Sequence, residues 1–190
     1  MALRNAVMAA LLEGEASGYD LAKGFDASVA DFWTATPQQL YRELERMERE
    51  GLVSTRLVRQ ERRPDKRLFS LTDAGYAALR GFLAEPIRKP TAIRDGLMVK
   101  VRCVDVGELD AVRAQIAERM EWGRARLARY ERLRERLLQG RDEAGYLATA
   151  DRVGPYLTLL RGISFEEENL RWGETALRVL DARATAISSR

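Results

Sequence analysis

Apolar and polar positions alternate with two different periods over the first 85 residues. Leu3, Val7, Ala10 and Leu11 recur at helical spacing and Gly14 stops the run, which predicts a first helix from Leu3 to Leu12. After a turn at Ser17 and Gly18, Leu21, Ala22 and Phe25 mark a short second helix from Tyr19 to about Phe25. A loop through residues 26–35 carries Phe32 and Trp33. Thr36-Pro37-Gln38-Gln39 then combines three helix-start signals: a capping threonine, proline at the first helical position, and a glutamine that completes a capping box. That third helix is expected to run to Glu50 and stop at Gly51. Two β-rich runs, Leu52–Val58 and Arg67–Leu71, flank a charged segment with a Pro64-Asp65 turn signal, so they read as a hairpin with a long tip. Thr72 caps a fourth helix to about Ala84, and Pro86 and Pro90 bracket a linker.

Beyond the prolines the pattern is helical almost throughout. Ile93, Leu97 and Val101 form a short stripe. Asp105 and Glu108 are expected to open a long helix to about Gln139, with Leu109, Val112, Ile116, Met120, Leu127, Tyr130 and Leu137 close to heptad spacing. Residues 140–150 read as a connector, and a last helix as 151–182. In that helix Tyr156, Ile163, Leu170 and Leu177 line one face, while Phe165, Trp172 and Val179 lie nearly opposite. A helix apolar on two sides needs two neighbours. One can be the long helix of its own chain and the other a second protomer, so these seven residues are the expected dimerisation set. The alternative is a self-contained helical pair with one face on the first domain. Glu167 and Glu174 lie near the first stripe and predict a partly polar seam. The architecture expected is mainly α, with a winged helix-turn-helix over residues 1–85 in the order helix, helix, helix, strand, strand, helix. A linker and short helix over 86–104 and an antiparallel long-helix dimerisation domain over 105–190 follow.

The third helix has two distinct sides. At about 100° per residue with Arg42 at zero, Leu40, Leu44 and Met47 cluster at about 140–200°, while Gln38, Arg42, Arg46 and Arg49 fall within about 40° of zero. Glu43, Glu45, Glu48 and Glu50 go to the flanks. The helix is net negative, yet its outer crest is arginine and glutamine. Arginine can bond guanine bidentately in a major groove and glutamine can bond adenine, while Thr36 and the free N–H groups at the helix start suit a phosphate. An ordinary surface helix with paired charges is the alternative. The hairpin favours DNA: Arg56, Arg59, Arg62, Arg63, Lys66 and Arg67 outnumber Glu61 and Asp65, as expected of a wing gripping a phosphate backbone. A solvated edge hairpin kept from aggregating by its charges is the competing account.

Composition narrows the chemistry. The 190 residues include no histidine and one cysteine, Cys103, which removes histidine acid–base work, histidine or cysteine-built metal sites and an intrachain disulfide. No pair of acids is persuasively placed for catalysis, so an enzyme, a metal site and a cofactor are not expected. Lys and Arg total 32 against 29 Asp and Glu, so basic surface must come from clustering. Over residues 1–84 twelve basic residues face twelve acidic ones; one copy should hold DNA only modestly, and specific binding should need two copies on a palindrome. The arginines between Arg113 and Arg141 read as a solvated helix face. The N-terminal run has neither a signal-peptide pattern nor the length of a membrane span, so a soluble, cytoplasmic protein is expected.

Three motifs add a resemblance. Thr36-Pro37-Gln38-Gln39-Leu40-Tyr41-Arg42-Glu43-Leu44 with Glu50-Gly51-Leu52-Val53, the opening Gly18-Tyr19-Asp20-Leu21, and Lys66-Arg67-Leu68-Phe69-Ser70-Leu71-Thr72-Asp73-Ala74-Gly75 together resemble the PadR family of bacterial transcriptional regulators. Arg94-Asp95-Gly96-Leu97 and the long C-terminal helices resemble its larger subfamily, whose C-terminal domain is related to that of virulence activators. The resemblance implies a homodimer joined through its C-terminal helices that binds an inverted-repeat operator in double-stranded DNA, usually as a repressor, and in some members leaves DNA on binding a small aromatic or hydrophobic compound. It places Tyr19, Thr36, Gln38, Tyr41 and Arg42 at the DNA and Lys66 and Arg67 on the wing. Gln39, Arg46, Arg59, Arg62 and Arg63 join them from the crest and the hairpin. Tyr41 has a second possible role, packing as a half-buried flank residue. Trp33, Trp122 and Tyr130, with Phe32, Tyr146 and Trp172, are candidates for an effector pocket, though core packing accounts for them as well. The rival function is a winged-helix protein–protein scaffold without DNA.

Overall fold

The computed structural model describes residues 2–28, 35–59, 65–87 and 94–188, and the chain divides into two compact units, Met1–Pro90 and Thr91–Arg190. The first contains α1 (Ala2–Leu11), β1 (Ala16–Ser17), α2 (Gly18–Ser28), α3 (Pro37–Arg49), β2 (Val53–Val58), β3 (Lys66–Leu71) and α4 (Asp73–Ala84). The strands form an antiparallel sheet in the order β1-β3-β2, with Thr55 opposite Phe69 and Ala16 on the other edge of Phe69. This is a winged helix, as the sequence predicts. The two-residue strand β1 stands where a turn was expected; it exists only because β3 offers it an edge.

The apolar stripe of α3 does what its period requires. Leu40, Leu44 and Met47 are buried with Val7, Met8 and Leu11 of α1, Leu21 of α2, Val53, Phe69 and Leu79. Both sides of the capping box form at Thr36 and Gln39. At the other end Gly51, at φ 71°, sends its N–H to the Glu48 carbonyl while the Leu52 N–H reaches Met47, both at 2.9 Å, the hydrogen-bond pattern of a Schellman cap. The Leu52 carbonyl accepts the Thr72 N–H at 3.1 Å. The Thr72 hydroxyl donates to the Gly51 carbonyl at 2.6 Å and accepts from the Gly75 N–H at 3.1 Å. A Cβ at Gly75 would stand 2.3 Å from the Leu52 oxygen, so only glycine lets α4 approach this closely. The exit of α3 and the entry to α4, far apart in sequence, thus lock each other through the backbone.

The second unit contains α5 (Gly96–Arg102), a 3-10 turn (Val104–Val106), α6 (Leu109–Leu138), α7 (Glu143–Thr149) and α8 (Gly154–Ser188). Asp95 caps α5 through the Leu97 and Met98 N–H groups and pairs with Arg119 of α6 at 2.5 and 2.9 Å. Asp105 falls in the 3-10 turn rather than at a helix cap, and α6 begins after Glu108, whose φ of 58° forms no side-chain cap. The expected connector holds α7, capped by Asp142 on the Gly145 N–H at 2.7 Å. Its Tyr146 is buried with its ring centroid 5.3 Å from that of Tyr156.

Helices α6 and α8 run antiparallel. Arg113 pairs with Asp181, Met120 lies against Gly173, and Tyr130 against Gly162. Val112, Ile116, Met120 and Tyr130 are buried on α6, and Tyr156, Leu159, Ile163 and Leu180 on α8, with Leu170 and Leu177 partly buried between them. The polar residue in this seam is Glu166, only 3% exposed, not Glu167 or Glu174, which are exposed. Glu166 accepts from Arg126 at 2.7 Å and from Asn169 at 3.0 Å, and Gly123 opposite leaves it room. A buried carboxylate needs such partners because its desolvation is otherwise far more costly than the packing it displaces.

Candidate nucleic-acid interface

The crest of α3 separates into anchored and unanchored residues. Gln38, Arg42 and Arg49 are exposed, and among the described residues Arg42 forms no ion pair. Arg49 bonds the carbonyl of Glu45 in its own helix. Arg46, expected to be a free reading residue, is held by Glu43 at 2.6 Å. Glu43, on a flank of α3, is buried there and also accepts from Arg4 of α1 at 3.2 Å. Gln39 is exposed, but its carbonyl oxygen is engaged by the Thr36 N–H at 2.8 Å. That leaves its amide hydrogens to face outward.

Beside the crest, α2, α3 and β3 enclose an open cleft of about 640 Å³ whose walls include Tyr19, Tyr41, Lys66, Arg67, Asp20 and Glu45. Tyr19 is 67% exposed and Tyr41 is half exposed. The Tyr41 ring lies on Gly18, where an added Cβ would come within 2.3 Å of Cε1. Glycine in the second motif is therefore the seat of tyrosine in the first, and Tyr41 both packs and presents an edge to solvent. Ser17 anchors the start of α2 by accepting the Asp20 N–H at 3.1 Å and donating to the Asp20 carboxylate at 2.8 Å.

The wing-base cations are partnered. Lys66 meets Asp20 at 2.7 Å and Arg67 meets Glu48 at 2.5 Å, with the Arg67 guanidinium 5.2 Å from the centre of the Phe69 ring. Thr55 also donates to Glu48 at 2.6 Å. The bonds from Lys66 and Ser17 hold the Asp20 carboxyl below its usual range, and those from Thr55 and Arg67 do the same for Glu48. Arg56 pairs with Glu15. Arg59 is exposed just beyond β2, while Arg62, Arg63, Phe32 and Trp33 lie outside the described residues. Counting cations along the chain misses their partners Asp20, Glu43 and Glu48. Only the Glu43–Arg46 spacing was a readable signal for any of these pairs.

In the second unit Tyr156 and Ile163 are buried, Tyr156 beside Tyr146 of α7 and Ile163 in one cluster with Tyr130 of α6, while Leu170 and Leu177 are partly buried against Val112, Ile116 and Met120 of α6. Trp172 is half buried, also against that seam. Phe165 and Val179 are 42% and 59% exposed, on a face shared with the exposed Leu157. Trp122 is 56% exposed, whereas Tyr130 is buried against α8.

Residues 7–81 match the family model of the transcriptional regulator PadR-like family, and residues 93–181 match that of the virulence activator alpha C-term domain. The chain is 33% identical over 196 aligned positions to "Probable transcriptional regulator Rv1176c" of Mycobacterium tuberculosis, covering 96% of this chain and all of that one. It belongs to the PadR-like family. A second relative is the "Negative transcriptional regulator PadR" of Bacillus subtilis, 25% identical over 94% of this chain and 97% of its own. The crystal structure of B. subtilis PadR in complex with operator DNA superposes with a TM-score of 0.77, covering 95% of this chain and 99% of that one. The Vibrio cholerae virulence activator AphA is 30% identical with a TM-score of 0.67, covering 95% and 99%. As a PadR-like protein the chain is a winged-helix transcriptional regulator and not an enzyme. Among the described residues no helix is long and apolar enough to cross a membrane.

Proposed function

We propose that this PadR-like regulator is a cytoplasmic homodimer that binds an inverted-repeat operator in duplex DNA and represses the gene beside it. The observation that carries the reading is the outer edge of α3, where Gln38 and the unpaired Arg42 project above a capped helix start and beside Tyr19 and Tyr41. Arginine and glutamine on one exposed crest suit base edges, and Thr36 with the helix N-terminus suits a phosphate. Repression follows the related B. subtilis protein, named a negative regulator and crystallised with operator DNA.

Two copies are required for a charge reason. With cations balanced by acids over residues 1–84, one protomer has little sequence-blind attraction for DNA. The outer stripe of α8, Leu157, Phe165 and Val179, is the surface left for a second copy once the inner stripe has packed on α6. Two reading helices would then enter successive major grooves about 34 Å apart. A small aromatic or hydrophobic ligand that shifts the C-terminal helices would disturb that spacing and release the operator; Trp122 is an exposed aromatic available for such a ligand.

The test is fluorescence anisotropy with the inverted repeat adjoining the coding region. Arg42→Ala should weaken operator binding by about 1–3 kcal/mol and relax preference at one base pair. Binding that ignores salt, or an Arg42→Ala protein that binds as tightly as the parent, would overturn the assignment.

A further inference from the structure

The wing-base cations sit in an unexpected electrostatic setting. Lys66 and Arg67 are the two basic residues of β3 and both line the cleft beside α3, and each is engaged by a carboxylate from a different helix: Asp20 of α2 and Glu48 of α3. The engagement is built rather than casual. Asp20 is fixed by Ser17 at the start of α2, and Glu48 by Thr55 of β2, so each acid has a second anchor besides its cation. The cleft lined by Tyr19 and Tyr41 also has Glu45 in its wall. A surface that met DNA through long-range attraction alone would not carry this arrangement.

Resting on the DNA-binding reading above, we propose that Asp20 and Glu48 are specificity-determining guards that keep Lys66 and Arg67 from gripping phosphates until the reading helix is seated. Exposed ion pairs are individually weak, so a phosphate in the right place can displace the carboxylate. In a loose complex on unrelated DNA the phosphates do not reach that position. Lys66 and Arg67 stay with their acids, which also repel the duplex. In the operator complex the crest of α3 fixes the register and delivers phosphates to both cations. The guards thus subtract from sequence-blind affinity more than from operator affinity, and recognition leans on Arg42 and Gln38. Glu43 is a different case: it is buried and holds α1 through Arg4, so it serves the fold.

The experiment uses full-length protein and a mixed-sequence duplex lacking the operator, titrated over a series of KCl concentrations. The double variant Asp20→Asn/Glu48→Gln keeps the shapes and removes both charges. It should bind this duplex about three- to tenfold more tightly at low salt, with a log–log salt slope steeper by about two. Its operator affinity should rise less, so the ratio between the two falls. Asp20→Asn alone, at an exposed site, should give about half the slope change and guards against a folding artefact in the double variant. Asp73→Asn/Glu85→Gln, which removes two charges from α4 and its end, should leave the slope near the parent value. An unchanged slope in the guard variant, or an equal change in the α4 variant, would overturn the proposal while leaving DNA binding intact. A parent protein that binds no duplex would overturn both readings.

Discussion

The two units finish their folding in different ways. In Met1–Pro90 the helices and sheet close a single core around Leu40, Leu44 and Met47, and the polar contacts that set its geometry are local backbone locks at Gly51, Leu52, Thr72 and Gly75. Its surface carries the exposed Gln38 and Arg42 but also Leu57, Phe82, Leu83 and Ile87, and much of its charge is neutralised within the unit. In Thr91–Arg190 the seam between α6 and α8 closes one face of each helix, yet α8 still shows Leu157, Phe165 and Val179 to solvent. The first unit closes its own core and leaves exposed apolar side chains on β2 and around the end of α4. The second aligns Leu157, Phe165 and Val179 along one face of a single long helix, the form of apolar patch that a shared interface uses. On the proposed function the difference separates the tasks: the first unit would read the operator, and the second would bring the other copy.

That contrast can be broken most severely from the helical side. Phe165→Glu/Val179→Glu places charge on the outer stripe of α8 without touching Tyr156 or Ile163. Analytical ultracentrifugation should show monomers that retain helical circular dichroism, with operator binding lost at concentrations where the parent saturates. A variant that still dimerises would mean the outer stripe is not the interface. Gly75→Ala attacks the other unit. Its methyl meets the Leu52 carbonyl, which is backbone and cannot swing away, so a loss of about 1–3 kcal/mol in urea unfolding is expected. Dimerisation through α8 should survive it.

Acid supplies the smallest effect and sharpens the comparison. Arg119 holds the Asp95 carboxyl below its usual range, as Lys66 does Asp20, and as Thr55 and Arg67 do Glu48. A carboxylate lowered in the folded state stabilises fully above its unfolded value, near pH 4, and the benefit fades as pH falls through the folded value. Asp95 is the most sheltered of the three and ties α5 to α6, so it should dominate. The stability gap between the parent and Asp95→Asn should therefore be widest above pH 5 and shrink steadily toward pH 2. A gap that is flat with pH would show that the pair contributes only its shape.

Much of the first unit was legible because its signals are local. The Thr36 capping box, the Gly51 stop and the Thr72 cap lie within a turn of the structure they specify, and α3 and α4 appear where those residues put them. Asp105 and Glu108 show the limit: the same spacing encloses a 3-10 turn here, and Gly107 in an extended positive-φ conformation separates it from α6. Helix α7 was hidden because seven residues with a central glycine carry too little period to stand out, and burial of Tyr146 against Tyr156 is what makes it pay. β1 was hidden because two residues become a strand only when paired.

By itself the chain's order of residues determined the winged helix, the arginine and glutamine crest of α3 and the two apolar stripes of α8, since helical period and end caps act within a few residues. The tertiary structure alone decided which stripe is consumed by α6, that Glu43 is buried, and that Lys66 and Arg67 are held while Arg42 is not. Those outcomes depend on which acids and apolar faces, distant along the chain, arrive within about 3–4 Å of one another, and neither charge pairing nor burial exists until they do.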